Sequence, residues 1–357
     1  MSILVRMPSA PLPQSAAPSG HPAAGPAATS AHAGPTLPTP AVLGEAPVLA
    51  QAVRGGFVES VHRGSVVVTA PDGSVELVLG DATDPVFPRS SNKPIQALAM
   101  VRAGLDVAPH HLALVCASHS GEPFHLEAVV EILAGAGLAV GDLQNTPDFP
   151  YDEVARLAWV RDGRDKESIA QNCSGKHAGM LATCVANGWD LATYRELDHP
   201  LQQACADTLA ELAGEPVAAT AVDGCGAPVM AVSLAGLARA FGRLASADSG
   251  TDEARVADAI RAHPEFLGGT RRDVTAFIRG TSGAIAKDGA EAVYAVGLAD
   301  GRGIALKVAD GGQRARTVIL AAVLRRLGVE TGALGALEDA PILGHGQPVG
   351  SVVAVGI

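Results

Sequence analysis

Residues 171–180 read Gln171-Asn172-Cys173-Ser174-Gly175-Lys176-His177-Ala178-Gly179-Met180 and place a thiol, a hydroxyl, an amine and an imidazole within a few positions of one another. The preceding residues, 165–168, are polar and show no period, whereas positions 180, 181, 184 and 185 are apolar at helical spacing. The reactive residues are therefore predicted to lie at or just before a helix N-terminus. Free amide groups there favour a thiolate or a bound anion, so the stretch indicates chemistry rather than a core segment.

The same stretch has two other interpretations, a phosphate-binding loop and a structural segment. A Gly-Lys pair before a helix also occurs in phosphate-binding loops, but that motif needs Gly at position 170 and Ser or Thr at position 177. This chain has Ala170 and His177, which excludes the phosphate loop. A solvated Lys176 beside a buried structural Cys173 is the plainer alternative.

Composition limits the class of protein. At 357 residues and 48% hydrophobic, the chain can bury a large core as one big domain or two smaller ones. A net charge of -11 and only 3% aromatic residues argue against nucleic acid or an anionic membrane as a partner. The 5 cysteines are an odd, sparse set with no recognisable secretion signal, which favours reduced thiols. No apolar run reaches the roughly 18 residues of a membrane span. We expect a soluble cytoplasmic protein.

The domain organisation follows from a change in composition near residue 48. Residues 1–47 are rich in Ala, Pro, Ser and Gly and are predicted to be a disordered tail, because such side chains bury too little to offset the ordering entropy. Residues 48–357 are predicted to form one catalytic domain.

Periodicity within residues 48–357 predicts an α+β fold with a mixed or antiparallel sheet and helices packed around it. The strands lie near both ends of the ordered chain, so we expect the two ends to complete one sheet. Predicted strands cover residues 57–62, 65–69, 74–79, 112–117, 284–287, 292–298 and 303–308, and predicted helices cover residues 95–102, 124–133, 152–160, 177–187, 199–213, 233–245, 252–262 and 316–327.

Ser90-Ser91-Asn92-Lys93 forms a Ser-x-x-Lys motif. In a helical turn, residues three apart face each other, so Lys93 can take the proton of Ser90 once it is neutral. That needs a fall of about 3 pKa units from about 10.4, to which burial and the neighbouring Arg89 contribute. Pro94 disfavours a helical Lys93, and a plainer alternative has Ser90 capping the helix and Lys93 solvated.

Two further motifs complete a pattern. Ser118-His119-Ser120 supplies a second hydroxyl, and Lys287-Asp288-Gly289 a second amine at the end of a strand. Together with Ser-x-x-Lys they have the order of the three motifs of penicillin-binding proteins and serine β-lactamases. His119 fits a hydrogen-bonded supporting group as well as a base.

Cys173, Lys176 and Cys225 form a candidate zinc site. Two thiolates suit zinc, although structural sites usually take four Cys or His ligands and a lysine ligand must first lose its proton. The alternative is a pair of thiols of low reactivity near a polar loop. Asp223 fits three roles, which are orienting a ligand, binding a substrate amine, or making the turn with Gly224.

Taken together, these motifs resemble the signature blocks of the asparaginase II family, the Rhizobium-type L-asparaginases. The matching blocks are residues 89–94, 116–120, 172–180 and 223–225, and the resemblance covers about residues 50–350 in the same order. It implies a fold similar to glutaminases and serine β-lactamases, hydrolysis of L-asparagine to L-aspartate and ammonia, and a homodimer.

The resemblance also implies roles for individual residues. Ser90 with Lys93 and Ser118 with Lys287 would be two Ser-Lys pairs, and it does not decide which serine is the nucleophile. Cys173, Lys176 and Cys225 would hold zinc, Asp223 would bind the substrate's α-amino group, and Arg89 and His119 would lie at the substrate site.

Two alternatives stay open at this point. One is another serine acyl hydrolase, either a glutaminase or a β-lactamase-like enzyme, and the other is a zinc-stabilised protein that binds an amino acid without turnover. The preference between asparagine and glutamine is also open, because one methylene is worth only about 1 to 3 kcal/mol and depends on pocket shape.

Overall fold

The computed structural model describes residues 41–357, which all lie in one unit. Residues 1–40 of the predicted tail lie outside the described residues. At the end of that segment Ala41–Gly44 form a single helical turn, α1. None of the helices in the described range is long and apolar enough to cross a membrane.

The main sheet joins strands from the beginning and the end of this range. Its order is β10-β11-β1-β2-β9-β8-β7, with β3 also paired to β2, and its ladders are antiparallel. A smaller sheet has the order β4-β6-β5. The strands are β1 (Val48–Arg54), β2 (Phe57–Thr69), β3 (Val75–Leu79), β4 (Pro85–Val86), β5 (Ala219–Val222), β6 (Pro228–Ser233), β7 (Ile285–Asp288), β8 (Val293–Gly297), β9 (Gly303–Val308), β10 (Pro341–Gly344) and β11 (Gln347–Ala354).

Strand β2 runs unbroken through the point where the sequence predicts a gap between two strands. Its first half pairs with β1, and its second half, from Gly64 onward, pairs with β9 and β3. A Cβ at Gly64 would lie 2.5 Å from the Lys307 carbonyl oxygen. Gly64 is therefore explained by the close approach of β9 rather than by a turn.

Helices fill the middle of the chain, and most of them confirm the predicted spans. Residues 112–117 are an exception, because they were predicted as a strand and the structure has helix α3 there. Pro109 begins that helix, and a short apolar run buried on all sides has no periodicity that separates helix from strand. The helices are α2 (Lys93–Arg102), α3 (Pro109–Val115), α4 (Pro123–Gly135), α5 (Glu153–Arg161), α6 (Ser174–Asn187), α7 (Pro200–Ala213), α8 (Leu234–Ala245), α9 (Asp252–Ala262), α10 (Pro264–Leu267), α11 (Asp273–Gly280), α12 (Arg316–Arg326) and α13 (Leu334–Glu338).

The core lies between the sheet and its helices. Helix α8 packs on β2, β8 and β9, and α12 packs on β1, β9 and β11. Glycines allow α8 to approach closely, since a Cβ at Gly303 would lie 1.8 Å from the Ala238 carbonyl oxygen and one at Gly297 would lie 2.1 Å from that of Phe241. The α+β class with an antiparallel sheet is thus confirmed.

Close packing also fixes the reactive stretch in place. A Cβ at Gly175 would lie 2.5 Å from the Leu114 carbonyl oxygen, and one at Gly179 would lie 2.7 Å from the Val115 side chain. The first turns of α6 therefore rest directly on the last turn of α3. This contact brings Cys173, just before α6, next to the segment that follows α3.

Candidate active site

Lys93 lies at the centre of the site and connects three of the sequence motifs. Its ammonium donates to the Ala117 carbonyl at 2.6 Å, to the Ser118 hydroxyl at 3.1 Å and to the Cys173 sulfur at 3.1 Å. The side chain is buried, with 1% of the residue exposed. The alternative of a solvated Lys93 is therefore wrong.

The Ser-x-x-Lys motif itself has an unexpected backbone. Residues Arg89–Asn92 form a 3-10 turn, and Lys93 has helical angles, φ -57 and ψ -36, although Pro94 follows it. Proline in the first helical turn lacks only an amide that has no intrahelical partner, so the expectation that Pro94 keeps Lys93 out of the helix was wrong. Neither Ser90 nor Asn92 caps α2 through its side chain, since Asn92 is the N-cap without such a hydrogen bond.

The two serines of this motif point to different surroundings. Ser91 is fully buried and donates to the Pro88 carbonyl at 2.7 Å. Within residues 41–357 the Ser90 hydroxyl makes no hydrogen bond, and it lines a cavity. Arg89, just before it, has a φ of 51°, a backbone conformation that is rare outside glycine and is found in strained functional segments.

The cavity beside Ser90 has a volume of about 130 Å³. Ser118, the hydroxyl that receives the Lys93 hydrogen bond, lies in the same wall, so the two candidate nucleophiles share one space. Most of the lining residues have polar side chains, and the wall is formed by Ser90, Ser118, Tyr151, Asn172, Arg272, Asp288, Gly289, Ala290, Gln313 and Arg316.

Lys287 lies next to this cavity, fully buried, and donates to the Asp288 carbonyl at 2.6 Å and to the Asp288 carboxylate at 2.9 Å. Burial lowers the pKa of Lys287 to about 8, with the charge of Asp288 opposing the shift and that of Lys93 adding to it. No hydrogen bond joins Lys287 to Ser118 in the described part of the chain. The partner of Ser118 is Lys93.

Asp288 is the carboxylate that neutralises the positive charges around Lys287. Arg272 donates to it at 2.5 Å and Arg316 at 3.4 Å. Burial would raise the pKa of Asp288, but the charges of Arg272, Lys287 and Arg316 outweigh it and hold that pKa well below the ordinary value. Arg316 is shared with Asp273, to which it donates two bonds of 3.0 and 2.9 Å.

Sequence reasoning missed the charged residues that surround Lys287. Asp288 is the middle residue of the Lys-x-Gly motif, and that position beside Lys287 was the available signal. Arg272 and Arg316 come from other parts of the chain, and nothing in their local sequence marks them.

Arg89 and Asp223 form an ion pair at the edge of the site, with 2.7 Å between the Arg89 Nε and the Asp223 Oδ1. The same carboxylate oxygen accepts from the Gly224 amide at 2.8 Å. Among residues 41–357, the second oxygen of Asp223 accepts no hydrogen bond. Neither residue lines the cavity, although Arg89 directly precedes Ser90.

His119 is a buried supporting residue rather than part of the cavity wall. Its Nε2 lies 2.8 Å from the Ser174 hydroxyl, which donates to the Ile169 carbonyl at 2.8 Å. The Ser174 proton is thus already used, so His119 Nε2 carries a hydrogen and donates it. Burial lowers the pKa of His119 well below its ordinary value, which keeps the ring neutral.

The thiols of Cys173 and Cys225 pack together, both buried. Lys176 donates to the Cys225 sulfur at 3.3 Å. The hydrogen bond from Cys173 is the main cause that lowers the pKa of Cys225 well below its ordinary value, and the charge of Lys176 acts in the same direction. His177 follows Lys176 and forms a hydrogen bond with the Tyr194 hydroxyl at 2.6 Å, and among residues 41–357 its buried Nε2 has no hydrogen-bond partner.

This thiol cluster has the chemistry of a metal site. Two sulfurs and an amine nitrogen are donors that suit zinc, and a tetrahedral zinc ion with such ligands separates sulfur from nitrogen by about 3.5 Å. The observed 3.3 Å between Lys176 Nζ and Cys225 Sγ matches that separation. The donor types and this one separation are compatible with zinc, whereas the nearby thiols raise the pKa of Lys176 despite its burial, and a lysine ligand must lose its proton.

A family profile matches most of the chain. The profile of the family described as L-asparaginase II matches residues 50–354. No curated protein sequence matches the chain.

Solved structures give weaker likenesses. A β-lactamase (Mb2281c) from Mycobacterium bovis is 16% identical with a TM-score of 0.42, over 80% of this chain and 97% of that one. Mglu in its L-glutamate binding form is 14% identical with a TM-score of 0.40, over 78% of this chain and 63% of that one. The Bacillus subtilis glutaminase YbgJ, in covalent complex with 5-oxo-L-norleucine, is 17% identical with a TM-score of 0.34, over 74% of this chain and 88% of that one. Scores this low carry no argument about activity.

Proposed function

The chain belongs to the L-asparaginase II family, which indicates an amidohydrolase, and we propose that it hydrolyses L-asparagine to L-aspartate and ammonia. The observation that carries this proposal is the buried Lys93 ammonium 3.1 Å from the Ser118 hydroxyl, beside a cavity that also contains the free hydroxyl of Ser90. A hydroxyl bonded to a buried lysine can pass a proton between that lysine and a neighbouring attacking serine, which is how such a pair supports acyl transfer.

We assign the attack to Ser90. Its hydroxyl is free in the cavity, whereas that of Ser118 is held by Lys93, and the first serine is the nucleophile in Ser-x-x-Lys enzymes. The Ser90 oxygen bonds to the side-chain amide carbon of asparagine, and its proton passes through Ser118 to Lys93, which must be in its neutral amine form to accept it, and from Lys93 to the amide nitrogen. The C–N bond breaks, ammonia leaves, and water then hydrolyses the aspartyl ester and restores Ser90.

Lys287 has a supporting role in this proposal. A lysine with a pKa of about 8 is partly neutral near neutral pH, so it can accept a proton as well as stabilise negative charge. Lys287 lies beside Asp288, which forms part of the cavity wall. A change in its protonation there can offset a change of charge at Lys93.

The size and charge of the cavity favour a free amino acid as substrate. At about 130 Å³ it is smaller than the roughly 300 to 1,000 Å³ of pockets that hold drug-sized ligands, which disfavours a β-lactam or a peptide. Arg272 and Arg316 in the wall suit an α-carboxylate. Asp223 lies outside the wall but pairs with Arg89, the residue before Ser90, and the oxygen that accepts no hydrogen bond among residues 41–357 suits an α-ammonium group.

We further propose that Cys173, Lys176 and Cys225 hold zinc. When bound, zinc supplies a fixed positive charge that helps to position the substrate. The chain's own contribution is the bond from Lys93 to Cys173, which links the thiol cluster to the serine pair and fixes the direction of the Lys93 amine.

Release of ammonia tests the proposal. Purified protein is incubated with L-asparagine and with L-glutamine, and Ser90→Ala and Lys93→Met are compared with Ser91→Ala. Ser91 is the matched control, because its hydroxyl is bonded to Pro88 outside the cavity wall. We expect release from asparagine that is lost in the first two variants and kept in the third.

The other outcomes point to the alternatives. Full turnover by Ser90→Ala and Lys93→Met would contradict the mechanism. Release from glutamine alone would identify a glutaminase, and acylation by a β-lactam without ammonia release would identify a β-lactamase-like hydrolase. Stabilisation by asparagine without any turnover would identify an amino-acid-binding protein.

A further inference from the structure

A second group of metal-binding side chains lies at the other end of α3 from the serine site. His110 and His111 are in the first turn of α3, and Glu131 is in α4. One ligand atom from each of the three lies within 4.8 Å of the others. The group shares no residue with the thiol cluster or with the cavity beside Ser90.

The three side chains have the spacing of metal ligands. His111 Nε2 and Glu131 Oε2 are 2.8 Å apart, close to the roughly 3 Å that separates neighbouring ligands around a first-row metal ion. The ligand atom of His110 lies within 4.8 Å of the other two. Two imidazoles and one carboxylate form a donor set that binds zinc, copper, nickel or iron(II) and leaves other coordination positions open.

Packing holds the two histidines in place before any ligand binds. The His110 ring lies 4.1 Å from that of His111, 5.2 Å from that of Phe266 and 5.8 Å from that of His263, measured between ring centroids. The side chain of His111 is only 14% exposed. Because these rings are already ordered, little conformational entropy is lost on binding an ion.

A cavity lies beside these ligands, with a volume of about 480 Å³. His111 and Glu131 form part of its wall, and Leu105, Ile132 and Val185 form an apolar part. Open coordination positions on an ion here would face this space, which is large enough for water or a small anion.

We propose that His110, His111 and Glu131 bind a divalent first-row transition metal ion, with the adjoining cavity holding its remaining ligands. This site is separate from the zinc proposed on the thiols, and neither needs the other. A plain ion pair between His111 and Glu131 is the competing explanation of the same contact.

Titration with cobalt(II) chloride distinguishes the two sites. The full-length protein, with its metal content determined, is titrated while absorbance and bound cobalt are measured. Cobalt on thiolates gives an intense sulfur-to-metal charge-transfer band in the near ultraviolet, whereas cobalt on imidazole and carboxylate gives only weak visible bands. We expect an equivalent of cobalt that binds without the sulfur band.

Variants show which side chains bind the cobalt that lacks the sulfur band. In Glu131→Gln and in His111→Asn its affinity falls at least tenfold, whereas in Glu127→Gln, the matched charge change one turn earlier on α4, it stays the same. Glu131 is 61% exposed, so its variant is expected to fold. Copper(II) bound at this site shows nitrogen hyperfine coupling from two imidazoles in its electron paramagnetic resonance spectrum.

Three results would overturn the proposal. They are the absence of any cobalt beyond that on the thiols, the sulfur band on every bound equivalent, and unchanged affinity in Glu131→Gln and His111→Asn. Because the readout is metal binding, loss of asparagine hydrolysis has no influence on it.

Discussion

Replacing Asp288 by Asn tests how the charges of the site are balanced. The carboxylate accepts from Arg272 at 2.5 Å, from Lys287 at 2.9 Å and from Arg316 at 3.4 Å, and it is 5% exposed. Asn keeps the shape and removes the charge. The buried Lys287 and Arg316 and the half-buried Arg272 then face one another, and Arg316 keeps Asp273 as its counterion among the described residues.

The expected loss of stability is large. Removing one partner of a buried ion pair costs about 3–5 kcal/mol, because it leaves the other charge buried and uncompensated. We therefore expect the free energy of unfolding of Asp288→Asn to fall by about 3–5 kcal/mol. Asp106→Asn is the control, since that side chain is 94% exposed and pairs only with Arg255, and it should change stability by less than about 1 kcal/mol.

The same substitution should shift the pH dependence of activity. The charge of Asp288 raises the pKa of Lys287, so its removal lowers that pKa further below about 8. A lysine that works in its neutral form then becomes active at lower pH, and the rising limb of kcat/KM moves in that direction. If protonated Lys287 is the working form, the same fall in pKa moves a falling limb to lower pH, so activity is lost rather than gained in the range through which the limb moves.

Urea unfolding followed by circular dichroism measures the change in stability. Ammonia release from asparagine, measured in steps of about half a pH unit from about pH 5 to about pH 10, gives the pH profile of activity. A destabilisation below about 1 kcal/mol would refute the argument about buried charge. A limb that moves to higher pH, or does not move, would refute the assignment of Lys287.

Three further predictions concern other parts of the site. Lys287→Arg should remove the rising limb near pH 8 from the kcat/KM profile of asparagine hydrolysis, because arginine does not lose its proton; a limb that stays contradicts this. Asp223→Asn should raise KM for asparagine at least tenfold with a smaller change in kcat in steady-state kinetics, and an equal fall of kcat with KM unchanged would exclude a binding role. Gly175→Ala should destabilise by about 1–3 kcal/mol in urea, because its Cβ would lie 2.5 Å from the Leu114 carbonyl oxygen, whereas Gly335→Ala, with open space around it, should not.

Local patterns in the sequence predicted much of the fold. Alternating and helical periods gave most strands and helices, and the expectation that the chain's ends complete one sheet is confirmed by the pairing of β1 with β11 and of β2 with β9. The resemblance to the asparaginase II family is confirmed by the match over residues 50–354. These patterns lie in neighbouring residues or in whole motifs, so they can be recognised in the sequence without the tertiary structure.

The errors arose where tertiary contacts decide the local structure. Residues 112–117 are helical rather than extended, and β2 continues through Gly64 because β9 approaches it closely. The unpredicted elements are short and show no sustained period, and they are β1, β4, β5, β6, β10, β11, α10, α11 and α13.

The sequence supplied candidate site residues, but it did not predict which of them contact one another. The structure joins Lys93 to Ser118 and Cys173, Arg89 to Asp223, and Lys176 to Cys225. The bond to Ser118 differs from the pairing of Ser118 with Lys287 that the resemblance implied, because the ammonium of Lys287 is held by Asp288. Zinc, the homodimer and the cytoplasmic location stay predictions.

Covalent labelling of the nucleophile tests the central claim most directly. The protein is treated with an asparagine analogue that carries a diazoketone in place of the amide, digested, and mapped by mass spectrometry, with excess L-asparagine as a competitor. The account predicts one label, on Ser90, that asparagine prevents and that is absent from Ser90→Ala. A label on Ser118 in the unmodified protein would reverse the assignment of the two hydroxyls, and the absence of any asparagine-protected serine label would contradict acyl transfer at this site.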